Sequence, residues 1–287
     1  MISERLIPLS NARVNFATGP VNGPPLLMLH GVTRRWQSFL PMWAALETRC
    51  QLISLDYRGH GLSDRSERPF HVVDYLEDLL ELVDRYLPVG LRIYGHSMGA
   101  MLAAAIASRR PDKVHAVILE DPPQQTMGPQ IGQTPLLSMF QGMARSAGST
   151  ASLSQIAAQF GDVIVTDPQT SKSTRLGDVR DPLSLRFTAW CLSQLQPEVL
   201  QPIIAGTWLD GYDIPLTYSR IQCPVLLLQA DLAAGGMLTD DDASSIETWC
   251  PEVVRLKFPG VGHLIHWLRT PDVINHTLAF LETARGR

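Results

Sequence analysis

The chain has 287 residues, 45% hydrophobic and 18% charged, which suits one large domain or a core domain carrying an insertion. Its net charge is −4 and it has no long basic run, which excludes a nucleic-acid or anionic-membrane surface. No apolar run is long enough to span a bilayer. Cys50, Cys191, Cys223 and Cys250 lie far apart with no Cys-x-x-Cys pair, so they read as reduced core residues and not as a disulfide frame or zinc site. The opening Met1-Ile2-Ser3-Glu4-Arg5 lacks a charged start followed by an apolar core, so no secretory leader is expected and the location expected is cytoplasmic.

Short apolar runs alternate with helical segments, which predicts an α/β protein with a mostly parallel sheet. Strands are expected at 14–17, 26–29, 51–55, 91–94, 114–119, 225–228 and 253–258, and helices at 72–86, 98–109, 240–249 and 271–284. Within the first helix Leu76, Leu79, Leu80 and Val83 share one face at helical spacing. Between about 122 and 216 strand-like runs become scarce and helical stretches appear at 136–145, 152–160 and 182–204. This is too long for an ordinary loop. It reads as a helical cap over the carboxyl ends of the strands, inserted into a core made of 1–121 and 217–287.

The pentapeptide Gly95-His96-Ser97-Met98-Gly99 joins the strand at 91–94 to a helix rich in Ala, Leu and Met. A serine on such a turn is forced into a strained conformation, and glycines two residues to either side let the neighbouring chain pass close. Its hydroxyl then projects from the top of the sheet beside the positive end of a helix. A neutral hydroxyl is a poor nucleophile; it needs a base, a group to orient the base, and donors for the oxyanion. The preferred base is His263, which follows a strand and the turn Pro259-Gly260-Val261-Gly262, with His266 three residues on as a neighbour. His30 and His60 read as loop braces, and His96 must point away from its serine neighbour. The expected oxyanion donors are the backbone N–H groups of Met98 and of Val32, the latter in the loop Leu29-His30-Gly31-Val32-Thr33.

Four motifs in this order resemble the α/β-hydrolase fold over nearly the whole chain: His30-Gly31, the run Asp56-Tyr57-Arg58-Gly59-His60-Gly61-Leu62-Ser63-Asp64, the turn Gly95–Gly99, and Gly262-His263. The resemblance implies an eight-stranded, mostly parallel sheet with a cap, and a structural loop at 56–64. It also exposes a departure. In most such proteins the acid follows the strand matching 225–228, but here that stretch reads Gln229-Ala230-Asp231-Leu232-Ala233, with alanine at the usual acid position. A minority, including some lactonases and dehalogenases, resemble an arrangement with the acid one strand earlier. Val117-Ile118-Leu119-Glu120-Asp121 offers that position, which favours Asp121 as the third member over Asp231 or Glu120.

Arg34 and Arg35 follow the oxyanion loop and are candidates to clamp a substrate oxygen, or else a solvated pair. Trp36 is a candidate pocket wall or helix anchor, and Met139, Phe140, Met143, Phe187, Trp190, Trp208 and Tyr212 are candidates for an apolar roof or for cap core. No metal-ligand cluster or phosphate loop is present in the sequence, so no metal and no cofactor is expected. The expected activity is hydrolysis of a small, partly apolar ester, lactone or amide through an acyl-enzyme on Ser97. The rivals are carbon–carbon or enamide cleavage of a ring-fission product carboxylate, and a non-catalytic receptor on a hydrolase fold. Dehalogenase and epoxide hydrolase chemistry would need Asp where Ser97 stands. The expected partner is a small-molecule substrate, with a homodimer left open.

Overall fold

The computed structural model describes residues 1–167 and 170–284. Ten strands occur among them: β1 (Ser3–Pro8), β2 (Arg13–Thr18), β3 (Pro25–Leu29), β4 (Gln51–Leu55), β5 (Leu91–His96), β6 (Val114–Glu120), β7 (Ile164–Thr166), β8 (Ser173–Arg175), β9 (Val225–Ala230) and β10 (Val253–Phe258). Eight form one sheet in the order β1-β2-β4-β3-β5-β6-β9-β10. The pairs β1/β2 and β2/β4 are antiparallel, and all the others are parallel.

Central strands of a parallel sheet are covered on both faces and so read as continuous apolar runs. Every residue of β5 and of β9 is buried. Alternate residues serve opposite faces: Leu27, Leu29, Ile93, Val117 and Leu227 join one core cluster, while Leu26, Met28, Tyr94, Ile118 and Leu228 join the other. The first core is covered by α2 (Val72–Tyr86) and α3 (Met98–Arg109), and the second by α1 (Leu40–Leu46) and α12 (Thr270–Thr283). Only Arg109 of α3 is not buried, because α3 packs on β5, β6 and α2 together.

Between β6 and β9 the chain leaves the sheet and forms the cap. Its helices are α4 (Leu136–Ala144), α5 (Leu153–Gly161), α6 (Leu176–Val179), α7 (Pro182–Ser193) and α8 (Gln201–Ala205). α5 packs on α7, and side-chain oxygens cap both: Ser152 accepts from the Gln155 N–H and Asp181 from the Ser184 N–H. The expected single helix over 182–204 is broken, because Pro197 opens a 3-10 turn and Pro202 opens the next helix. The cap also carries the antiparallel hairpin β7/β8, which the helical reading did not contain. Helix α9 (Ile214–Ser219) straddles the expected boundary at 216 and packs on α3. Two further helices, α10 (Asp240–Trp249) and α11 (Ile265–Leu268), flank β10. No helix among the described residues is long and apolar enough to cross a membrane.

Candidate active site

Ser97 sits where β5 turns into α3, at φ 57° and ψ −121°, a left-handed value rare for any residue but glycine. The turn is possible because its flanks have no side chains. A Cβ on Gly95 would lie 2.1 Å from the Gly99 carbonyl oxygen, and one on Gly99 would lie 1.9 Å from that of Leu29. The Met98 N–H opens α3 and so has no partner four residues back. Among the described residues neither it nor the Val32 N–H donates a hydrogen bond. Both Val32 and Ser97 line one cavity of about 400 Å³.

One strand further, Asp121 directly follows the last residue of β6. It too has a positive φ, of 46°, and is fully buried. Its carboxylate accepts from the N–H groups of Met237 at 2.8 Å and of Ala230 and Leu238 at 3.2 Å. It also meets the Nδ1 of His263 at 2.6 Å, across 142 residues of chain. An ionised carboxylate at this distance accepts the proton of Nδ1, and in the neutral ring that tautomer carries its lone pair on Nε2. His263 lines the same cavity as Ser97, and its carbonyl accepts from His96 Nε2 at 3.1 Å, so the loop carrying His263 is pinned to the residue preceding the serine.

The other carboxylates and histidines near this rim have structural partners. Asp231 braces its own loop, accepting from the N–H groups of Ala233 and Gly260. Glu120 is fully buried and accepts from the backbone and Nδ1 of His266 at 3.0 and 2.9 Å and from the Tyr94 hydroxyl. This second imidazole–carboxylate pair lies beneath His96, whose ring is 4.9 Å from that of His266 and 4.6 Å from that of His263. Neither Glu120 nor His266 reaches the cavity wall. His96, Glu120 and His266 are the cluster among the described residues with metal-ligand spacing, but Glu120 is already filled by Tyr94 and His266. Burial pushes His96 well below the ordinary imidazole value and brings His30 and His60 down to about 3. His30 meets the Gly31 carbonyl at 2.8 Å and His60 the Arg58 carbonyl at 3.1 Å, which makes both neutral loop braces.

Of the four substrate candidates, Arg34 lines the cavity, while Arg35, Trp36 and Trp190 do not. Arg35 turns inward, where Asp56 lies 3.5 Å away, Gln194 accepts from it and the Trp190 ring covers it at 4.0 Å. That contact also explains why Trp190 is unavailable to a substrate. Trp36 donates through its backbone to Asp56 and through its indole to Glu4, and packs on Trp43. Asp56 thereby fastens the loop at 56–64 to the oxyanion loop, accepting from the Leu62 N–H as well. Of the expected roof, Met139, Phe140 and Met143 line the cavity. Trp208 is fully buried and the Tyr212 hydroxyl donates to the Met101 carbonyl, so both belong to packing. The sequence reading missed Arg180, which enters the cavity wall from the link between α6 and α7; no motif marks it. A larger groove of about 520 Å³, with Ser66, Phe70, Gln196 and Pro202 on its walls, contains neither Ser97 nor His263 nor Asp121. We centre the site on the smaller cavity, because the alcohol, imidazole and cationic groups converge there.

Known proteins agree with this architecture. Over 100 residues the chain is 35% identical to the 2-(acetamidomethylene)succinate hydrolase of Mesorhizobium japonicum, a stretch covering 35% of this chain and 36% of that relative. It is 24% identical over 271 residues to an sn-1-specific diacylglycerol lipase of Xenopus laevis, covering 93% and 82% of the two chains. Among solved structures, that of E-2-(acetamidomethylene)succinate hydrolase superposes with a TM-score of 0.76 at 20% identity, covering 98% of this chain and all of the other. Residues 24–270 match the alpha/beta hydrolase fold family, and the chain belongs to it.

Proposed function

We propose that this protein is a serine hydrolase that needs no cofactor and cleaves a small, partly apolar ester, lactone or amide. The observation that carries the reading is the 2.6 Å contact between His263 Nδ1 and Asp121 beside the strained Ser97. Ser97 attacks the acyl carbon while His263 Nε2 takes the hydroxyl proton. Asp121 fixes the imidazole tautomer and stabilises the imidazolium that forms. The oxyanion is held by the N–H groups of Val32 and Met98, each contributing about 3 kcal/mol of transition-state stabilisation. His263 passes its proton to the leaving group, giving the acyl-enzyme. Water, deprotonated by the same imidazole, then releases the acid and regenerates Ser97.

The cap, taken as residues 122–216 over a core of 1–121 and 217–287, supplies the apolar wall at Met139, Phe140 and Met143 and so sets which acyl group fits. A fluorophosphonate should label the native chain once, at Ser97, and Ser97→Ala should abolish the adduct. Labelling that survives the substitution would remove Ser97 from the mechanism.

A second reading keeps the same groups and changes the bond. Two matched relatives are named as hydrolases of substituted methylenesuccinates, in Mesorhizobium japonicum and Acinetobacter baylyi. With Arg34 facing the cavity, they favour an enamide-type amide within the substrate class. Release of an amine from such a compound, against release of an alcohol from simple esters, separates the two.

A further inference from the structure

We propose that Arg34 and Arg180 form one anion-binding subsite in the cavity over Ser97, and that the substrate carries a carboxylate held there. The inference rests on the hydrolase reading and names the substrate class within it.

Arg34 is 7% exposed, and among the described residues its guanidinium has one hydrogen-bond partner, the neutral hydroxyl of Thr188 at 3.1 Å. The Phe187 and Trp267 rings stand 5.8 and 6.0 Å from its charge centre. Arg180 is partly buried, with the Met139 sulfur 3.7 Å from one nitrogen and the Phe160 ring 5.9 Å away. Among the described residues neither guanidinium lies within ion-pair distance of a carboxylate. Two arginines, buried more deeply still, do: Arg58 pairs with Asp78, and Arg35 with Asp56. Asp181 also lines the cavity, but one of its oxygens accepts the Ser184 N–H that opens α7.

Two cations therefore line one cavity in which, among the described residues, no carboxylate pairs with either, and the neighbouring charge of Asp181 only partly offsets that of Arg180, an arrangement that is unfavourable until an anion enters. Burial and the charge of Arg34 bring Arg180 down to about 10, and burial lowers Arg34 as well. Both stay cationic near neutral pH, and each offers a planar fork that fits carboxylate oxygens in pairs. The remaining wall at Leu136, Met139, Phe140 and Met143 is apolar. The site thus suits a small molecule with one anionic end, a short apolar body and a scissile acyl group at Ser97.

The test compares two acyl esters of nearly the same shape, 4-nitrophenyl butyrate and mono-4-nitrophenyl succinate, in the native chain, Arg34→Gln, Arg180→Gln and the two Arg→Lys variants. The native chain should prefer the succinate. Each Gln variant should lower the succinate-to-butyrate ratio of kcat/KM roughly 10- to 100-fold, chiefly through KM, and Lys should restore part of it. Free succinate should also slow fluorophosphonate labelling of Ser97 in the native chain and do so less in the Gln variants. An unchanged ratio with equal protection in all variants would overturn the subsite. A native chain that labels at Ser97 without any anion preference defeats this inference alone, whereas absence of labelling defeats the hydrolase reading.

Discussion

The backbone N–H of Ser97 donates to the carbonyl of Glu120 at 2.8 Å, and this bond ties the turn carrying Ser97 to the loop carrying Asp121. The next bond in the same row runs from the Asp121 N–H to the Leu228 carbonyl, also at 2.8 Å. The tips of β5, β6 and β9 are thus held in register at and beyond the last β5/β6 and β6/β9 pairs, His96 with Glu120 and Glu120 with Leu228. Rigid strand ends bring the Asp121 side chain towards the His263 loop without any flexible element between them. The Asp121 carboxylate can occupy this place because Gly236 and Met237 wrap over the end of β9 and turn the Met237 and Leu238 N–H groups towards it.

Asp121→Asn should lower kcat roughly 10³- to 10⁴-fold, because an amide at this position can no longer hold the Nδ1–H tautomer. Asp231→Asn should leave kcat within about tenfold and loosen only the loop that Asp231 braces. Steady-state rates on one ester decide between them; the reverse ranking would move the acid to the strand end at 231.

The two imidazole–carboxylate pairs should separate by readout. His263→Ala removes the proposed base and should lower kcat at least about 10³-fold with little change in urea midpoint. Glu120→Gln disturbs the buried set with Tyr94 and His266 and should destabilise the fold by about 1–3 kcal/mol. Activity measured where the variant is fully folded should stay within about tenfold of native. Loss of turnover by several orders in folded Glu120→Gln would transfer the chemistry to the deeper pair.

Acid should destabilise the protein through its buried neutral histidines. His30 and His60 are held down to about 3 and His96 lies well below its ordinary value, while the unfolded chain protonates each near 6.5. Between those limits the unfolded state binds more protons, so stability is complete above about pH 6.5 and falls as pH drops towards 3. Each group contributes a slope of up to about 1.4 kcal/mol per pH unit. Urea denaturation at pH 7.5, 6, 5 and 4 measures it. Replacing His60 by Gln should flatten the curve, and a slope that stays the same would show that this group does not titrate differently in the two states.

How far such contacts can be read from sequence depends on where their energy comes from. The periodicity at 72–86 gave the bounds of α2, and the run of strong helix formers at 98–109 gave those of α3, because both signals are local. β1 escaped notice: five of its six residues are exposed and only Ile7 points into the core, so it has no apolar run to detect. The hairpin β7/β8 is three residues a side with mostly exposed positions, and its pairing is a tertiary fact. At the site, Ser97, His263 and Asp121 sit in turns whose glycines, strand ends and spacing are local signals, so the sequence suffices to nominate them. Arg35 and Trp36 lacked such a constraint; adjacency to the loop at 29–33 suggested substrate contact, but the pull of Asp56 and Glu4 turned both inward, and Trp190, a candidate for the apolar roof, covers Arg35 instead. Arg180 could be placed only once α7 had been docked over the sheet edge.

The closest backbone approaches give the strongest structural forecast. Gly99→Ala puts a methyl 1.9 Å from the Leu29 carbonyl oxygen, backbone that cannot swing aside, and should destabilise the fold by more than about 2 kcal/mol. Gly132→Ala meets nothing within 4 Å and should be near neutral. Gly31→Ala is the informative intermediate: its methyl would lie 2.9 Å from His96 Nδ1 and 3.0 Å from the Ser97 Cβ. Relief there must displace either the imidazole ring or the nucleophile. The expected result is a kcat loss of roughly 10- to 100-fold at a stability loss of only about 1 kcal/mol, since a displacement well under 1 Å degrades attack geometry before it unfolds the chain. Thermal melts and initial rates on the three variants test the series. A Gly31→Ala enzyme with native kcat would mean that the oxyanion loop yields freely, and that the turn around Ser97 is less rigid than its packing against Leu29 implies.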